Sequence, residues 1–308
     1  MPFATQLTKR MQRTARLPEL EVSGREGIAD WIETTLLARG TVQIGMDALH
    51  AFASEELHQA EQSVHLALGS MERRAQVLGD AYPFQVFPYA VRARPNATST
   101  PYALLLLVTP KSPARQLLHE HSIEQMALVF ERLVVRALVT LLGPESRAVR
   151  FGWPGDDGRP ADFYGAIEWL AGRMGITAGR AYRPPRRKDG GVDVVAWRPF
   201  PDRRSGFPVT LVQCTLQEDV TPKSADVDVR NWAGWLTLDA DPTAALAVPG
   251  TIPVGEVWNE IAVRCLILER LRVAGLLADV TLGDIPGCLE MVATQVNALG
   301  ELLIGAEV

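Results

Sequence analysis

Residues 188–215 constrain this chain more than any other stretch. Val192, Val194, Val195, Ala196 and Trp197 make one apolar run and Val209, Leu211 and Val212 anchor a second, each the length of a strand. Between them, residues 199–208 supply the Pro, Gly, Asp and Ser that turns require, so the pattern predicts a β-hairpin. Two polar residues interrupt it, Asp193 in the first arm and Gln213 in the second, where an apolar side chain would bury at lower cost. Gly190 and Gly191, just before Asp193, let backbone or a ligand approach its carboxylate. Carboxylate and amide oxygens on neighbouring strands suit a hard divalent cation. The same residues also read as plain hairpin chemistry, with Asp193 paired to Arg183 or Arg186 and Gln213 holding register across the strands.

Charge is distributed unevenly around this hairpin. The chain carries a net charge of −5, which argues against coating nucleic acid by bulk electrostatics. Residues 180–204 nevertheless hold Arg180, Arg183, Arg186, Arg187, Lys188, Arg198, Arg203 and Arg204 against only Asp189, Asp193 and Asp202. Such a rim can contact a phosphate backbone, and it equally describes a solvated hairpin edge protected from aggregation.

The rest of the chain reads as a mainly helical N-terminal α+β half followed by an α/β half. Residues 24–39 repeat Ile28, Trp31, Ile32 and Leu36 at helical spacing with Gly40 as the stop. One helical zone is expected over 46–78, and along it His50, His58 and His65 stand too far apart to share a metal. Residues 84–93 and 102–109 predict a second hairpin. His119, Glu120 and His121 point to different faces of any helix and fit a helix-entry loop, before a capping box at Ser122 and a buried helix over 123–142. The turn formers of 151–160 place a boundary between a domain of residues 1–150 and one of 151–308. A helix over 163–174, a strand over 179–183, short strands over 245–248 and 251–254, and helices over 257–273 and 289–303 complete the expectation, with Arg264, Arg270 and Arg272 off the buried side of the first of these last two helices. Cys214, Cys265 and Cys288 are expected as small buried hydrophobes rather than as a disulfide or zinc framework. No apolar run is long enough to span a membrane and no signal peptide opens the chain, so a cytoplasmic protein without a membrane partner is expected.

The order Gly-Gly-Val-Asp at 190–193, a variable insert, then Val-Gln-Cys at 212–214 resembles the core of the PD-(D/E)XK, restriction-endonuclease-like superfamily, and within it the branch with glutamine at the middle acidic position. The resemblance covers residues 160–275. It implies an α/β fold with a mixed sheet flanked by helices, Asp193 as principal ligand of Mg²⁺ or Mn²⁺, Gln213 at the middle position, and metal-dependent cleavage of DNA. Helix 163–174 would be the first helix of the catalytic core, its Glu168 sending an extra metal-binding acid or facing solvent. Arg183, Arg186, Arg187, Lys188, Arg203 and Arg204 would contact DNA. The sequence departs from the family at Thr215, where the family has a lysine. Lys223, the only lysine after Asp193, is the substitute, with Arg186, Arg187 and Lys188 as alternatives. Relatives of this branch are common in bacterial restriction and anti-phage defence, which implies partner proteins of such a system. A competing expectation keeps the fold without the chemistry, as a scaffold or binding subunit, and self-association is open.

Overall fold

In the computed structural model of the protein, residues 20–22, 24–40, 43–57, 61–118, 123–180, 185 and 189–306 are described. In chain order they form α1 (Gly24–Ala38), β1 (Gln43–Gly45), α2 (Met46–Leu57), α3 (Glu61–Leu78), β2 (Phe84–Phe87), β3 (Ala90–Ala93), α4 (Pro101–Val108), α5 (Pro113–Leu117), α6 (Ile123–Leu142) and β4 (Arg147–Arg150). Then follow α7 (Phe163–Met174), β5 (Val194–Trp197), β6 (Val209–Cys214), α8 (Val229–Trp235), β7 (Thr243–Ala247), α9 (Glu256–Ala262), β8 (Leu266–Leu268), α10 (Arg270–Leu276) and α11 (Cys288–Ala306).

The architecture is mixed α/β. A small antiparallel sheet has the order β1-β3-β2, and a five-stranded mixed sheet the order β4-β5-β6-β7-β8. In the larger sheet β4, β5 and β6 are antiparallel neighbours, while β6, β7 and β8 run parallel. The predicted hairpin is β5–β6, with Val194 opposite Val212 and Trp197 opposite Val209. Alternation divides its residues between two layers, as a sheet buried on both faces requires. Val194, Ala196 and Val212 join the core that contains Phe130, Val134 and Leu138 of α6. Val195, Trp197 and Leu211 face Phe163, Ile167 and Leu170 of α7 and the two tryptophans of α8, Trp232 and Trp235. The first of these cores also holds Ile28 of α1 and Val292 of α11, so it is continuous on both sides of residue 150, the last residue of β4.

Several elements depart from the sequence expectation for identifiable reasons. Residues 102–109 are not a strand: Thr100 caps α4, its hydroxyl accepting from the Ala103 amide, and Pro101 opens the first turn, a start signal stronger than the strand-like apolar run that follows. The hairpin of this region closes instead within 84–93, as β2 and β3. The zone over 46–78 is two helices, α2 and α3. Residues 257–273 break into α9, β8 and α10, because Leu266, Ile267 and Leu268 complete the sheet beside β7. Residues 251–254 form no strand, and of 179–183 only the start is described, Ala178 making an isolated bridge to Leu236. No helix among the described residues is long and apolar enough to cross a membrane.

Buried charge ties α1 to α3 and α10. Arg270, expected off the buried side of its helix, is 0% exposed and makes a bidentate pair with Asp30 of α1 at 2.6 and 2.8 Å. Its remaining donors reach the Thr109 hydroxyl at 2.8 Å and the Pro249 carbonyl at 2.9 Å. Arg74 of α3 pairs with Asp30 and with Glu33, each at 2.8 Å, and with Glu26 at 2.7 Å. Two guanidinium groups therefore balance the acids of α1 inside the core.

Candidate functional site

Asp193 stands at the entrance to β5, with its backbone fixed from both sides. Its carbonyl accepts from the amides of Phe151 and Gly152 at 2.6 and 2.9 Å, a bulge of two residues against one, and its own amide donates to the Val212 carbonyl at 2.8 Å. Its side chain is equally fixed. Oδ2 accepts from Gln213 Nε2 at 2.6 Å and from the Cys214 amide at 2.7 Å, which leaves Oδ1 with no hydrogen-bond donor among the described residues. Asp193 and Gln213, predicted on neighbouring strands, thus meet directly. It is the amide nitrogen of Gln213 that faces the carboxylate.

The acid that meets Asp193 comes from α6. Glu131 lies on the buried stripe of that helix, and a β-carbon built on Gly152 would stand 2.8 Å from Glu131 Oε2 and 3.3 Å from Asp193 Oδ1. The two carboxylates thus share one small space that is open only because residue 152 has no side chain. Arg150 Nε lies 2.7 Å from Glu131 Oε2 in an ion contact without hydrogen-bond alignment, since neither atom finds a properly angled partner among the described residues. Both terminal nitrogens of Arg150 donate to the Pro154 carbonyl at 2.6 Å, and Asp156 lies 3.4 Å away.

Burial and mutual repulsion set the electrostatics of this pair. Burial, only partly offset by Arg150, pushes the Glu131 carboxyl up to about 7, with Asp156 and Asp189 adding to the rise. Asp193 is held well above the usual carboxylate range by burial and then by the Glu131 charge, against the pull of the Cys214 amide. The Cys214 thiol is raised by burial and by Asp193, so it is a poor nucleophile.

Beside the pair lies a cleft of about 890 Å³, whose lining includes Glu131, Gln213, Thr215, Lys223, Lys111 and Arg115. Thr215 is buried, its amide bonded to the Ala247 carbonyl and its hydroxyl accepting from the Gln217 amide. Lys223, in a short 3₁₀ turn (Pro222–Ala225), opens onto the same cleft, and its Nζ lies 3.2 Å from Asp226.

Other expectations fall elsewhere. Glu168 is on the exposed side of α7, on the sheet face opposite α6, so of its two expected roles it faces solvent; the acid that stands beside Asp193 is Glu131. The sequence signal for Glu131 is a lone acid among Met126, Phe130, Val134 and Leu138 of an otherwise apolar face. Arg203 and Arg204 are exposed in the connection 198–208, beyond Trp197 and so at the far end of the hairpin from Asp193. Arg183, Arg186, Arg187 and Lys188 lie outside the described residues, as do His58, His119, Glu120, His121 and Ser122. Gly190 serves packing rather than ligand approach: its φ is +64°, and an added β-carbon would meet Trp235, Phe163 and Trp232 at 3.0–3.3 Å.

Oxygen donors of two buried carboxylates converging on one point are a donor set that a hard divalent cation accepts, and Mg²⁺ is commonly held by only one or two carboxylates, with water and substrate phosphate completing its shell. Among the described residues no group of three or more His, Cys, Asp or Glu side chains is placed to hold a metal ion. Fold and site together define a mixed α/β protein with a buried carboxylate pair at the head of a hairpin, beside an open cleft. Compared with protein-family models, curated proteins and solved structures, the chain matches none.

Proposed function

We propose that this protein is a divalent-metal-dependent phosphodiester hydrolase acting on DNA, built on a restriction-endonuclease-like fold. The observation that carries the reading is the convergence of Glu131 and Asp193 on the space over Gly152. Two elements distant in sequence bring buried acids together against their electrostatic interest, an arrangement typical of sites held for function. Asp193 Oδ1 and Glu131 Oε2 would hold Mg²⁺ or Mn²⁺, which when bound supplies a Lewis acid and lowers the pKa of water. Gln213 fixes the Asp193 rotamer through its 2.6 Å bond. Lys223 supplies positive charge to the cleft in place of the side chain that Thr215 lacks. DNA contact falls to cleft cations and to the basic residues of 183–188, and the setting is a bacterial restriction or anti-phage system with its partner proteins.

Supercoiled and linear DNA incubated with Mg²⁺ or Mn²⁺ should be cleaved by the parent protein, and not by Asp193→Ala or Glu131→Gln with circular dichroism unchanged. Equal cleavage by Asp193→Ala would remove the carboxylate pair from the chemistry. A second reading rests on Thr215, whose hydroxyl is already engaged, and on Arg150, which already offers Glu131 a positive partner. In that reading the protein keeps the fold as a nucleic-acid-binding or partner-binding subunit, and the parent binds DNA without cutting it.

A further inference from the structure

His50 and His65 would be about 22 Å apart along the axis of one continuous helix, which is why their spacing argues against a shared ion. The fold reverses that conclusion. Because α2 ends at Leu57 and α3 begins at Glu61, the two helices pack as a pair, and the imidazole centroids are 5.3 Å apart with their planes at 66°. Two imidazoles ligating one ion at about 2.0–2.1 Å and at a tetrahedral angle have centroids about 5 Å apart. His50 Nε2 is buried and has no hydrogen-bond partner among the described residues. A buried polar atom left unpaired is costly, and ring-on-ring packing does not recover it.

A third ligand type shares a helix with one histidine and a cavity with the other. Met46 lies one turn before His50, on the same helical face, and Met46 and His65 both line a cavity of about 300 Å³ between α3 and the β2–β3 turn. At Gly69, one turn after His65 on the cavity wall, a β-carbon would meet nothing within 4 Å, so there is free space there.

We propose that Met46, His50 and His65 form a copper site, separate from the acidic pair and independent of the function proposed above. Imidazoles alone suit zinc, nickel and copper, but a thioether favours the softer Cu(I), and Cu²⁺ heads the affinity order of the divalent ions.

The test titrates chelator-stripped full-length protein with Cu(I) against a chromophoric competing chelator, and with Zn²⁺ in parallel. One equivalent of Cu(I) should bind, and His65→Gln and His50→Gln should each weaken it by about tenfold or more. His65 is exposed, so its variant folds as the parent does and the result is not confounded by unfolding. Met46→Leu should weaken Cu(I) and leave Zn²⁺ unchanged. No Cu(I) binding by the parent, or binding that both histidine variants retain because it resides on the thiols, overturns the site. Parallel losses of Cu(I) and Zn²⁺ in Met46→Leu overturn the assignment to copper.

Discussion

Asp30→Asn is the most informative perturbation of the fold, because it removes one charge and almost no volume from the cluster that joins α1 to α10. In the parent, Asp30 takes both terminal nitrogens of Arg270 and stands 2.8 Å from Arg74, and all of these groups are nearly or wholly withdrawn from water. Arg74 and Arg270 are then balanced by Asp30 and Glu26, while burial raises Glu33 towards its neutral form. Losing Asp30 leaves Arg270 with the Thr109 hydroxyl, the Pro249 carbonyl and, 3.9 Å away, Glu33 Oε2, with no anion hydrogen-bonded to it among the described residues. Breaking one side of a buried pair costs about 3–5 kcal/mol, a large share of the roughly 5–15 kcal/mol by which a domain is stable. Urea unfolding followed by tryptophan fluorescence and by circular dichroism should therefore shift to a much lower midpoint with both probes moving together. The double variant Asp30→Leu, Arg270→Met should recover part of the loss, since it removes both charges. A cost below about 1 kcal/mol for Asp30→Asn would refute the reasoning, because it would mean the cluster is hydrated and its charges screened.

Three further outcomes are expected at the acidic site. Because the Glu131 carboxyl is raised in the folded protein, its contribution to stability is fully present below its ordinary value of 4.5 and fades as pH rises towards about 7, by up to about 3 kcal/mol; Glu131→Gln should flatten stability over that window in urea melts, and an unchanged slope would show that Glu131 is not the group responsible. Gly152→Ala places a carbon 2.8 Å from Glu131 Oε2, so the carboxylates must part: stability should fall by about 1–3 kcal/mol and any Mn²⁺ binding at the pair should be lost, and Mn²⁺ binding at the parent's strength would count against the shared space. Lys223→Ala should lower DNA cleavage by about a hundredfold in steady-state assays without changing the melting temperature, and full activity would return the missing charge to Arg186, Arg187 or Lys188.

Local pattern is enough to find the hairpin and its chemistry. An apolar run on each side of a turn-forming insert specifies two adjacent strands, and the polar residue that interrupts each arm needs a partner, so the sequence marks Asp193 and Gln213 as residues that can meet, beside the alternative of Asp193 with Arg183 or Arg186. The helices α1, α6, α7 and α11 are legible in the same way, from apolar stripes at helical period and from stop glycines such as Gly40 and Gly175. What tertiary structure decides is which distant residue completes each local feature. Glu131 reaches Asp193 across a connection and a strand, and nothing in the period of α6 says which sheet residue its one buried acid will face. His50 and His65 are remote when axial distance is counted along one helix, whereas the division into α2 and α3 turns that distance into a side-by-side contact. Arg270 has the pattern of a solvent-facing cation on a continuous helix, but β8 interrupts that helix and turns it towards Asp30. The reason is common to all three: side-chain period is a property of neighbouring residues on one element, while pairing between elements depends on loop paths and on the burial of charge, which only the assembled fold fixes.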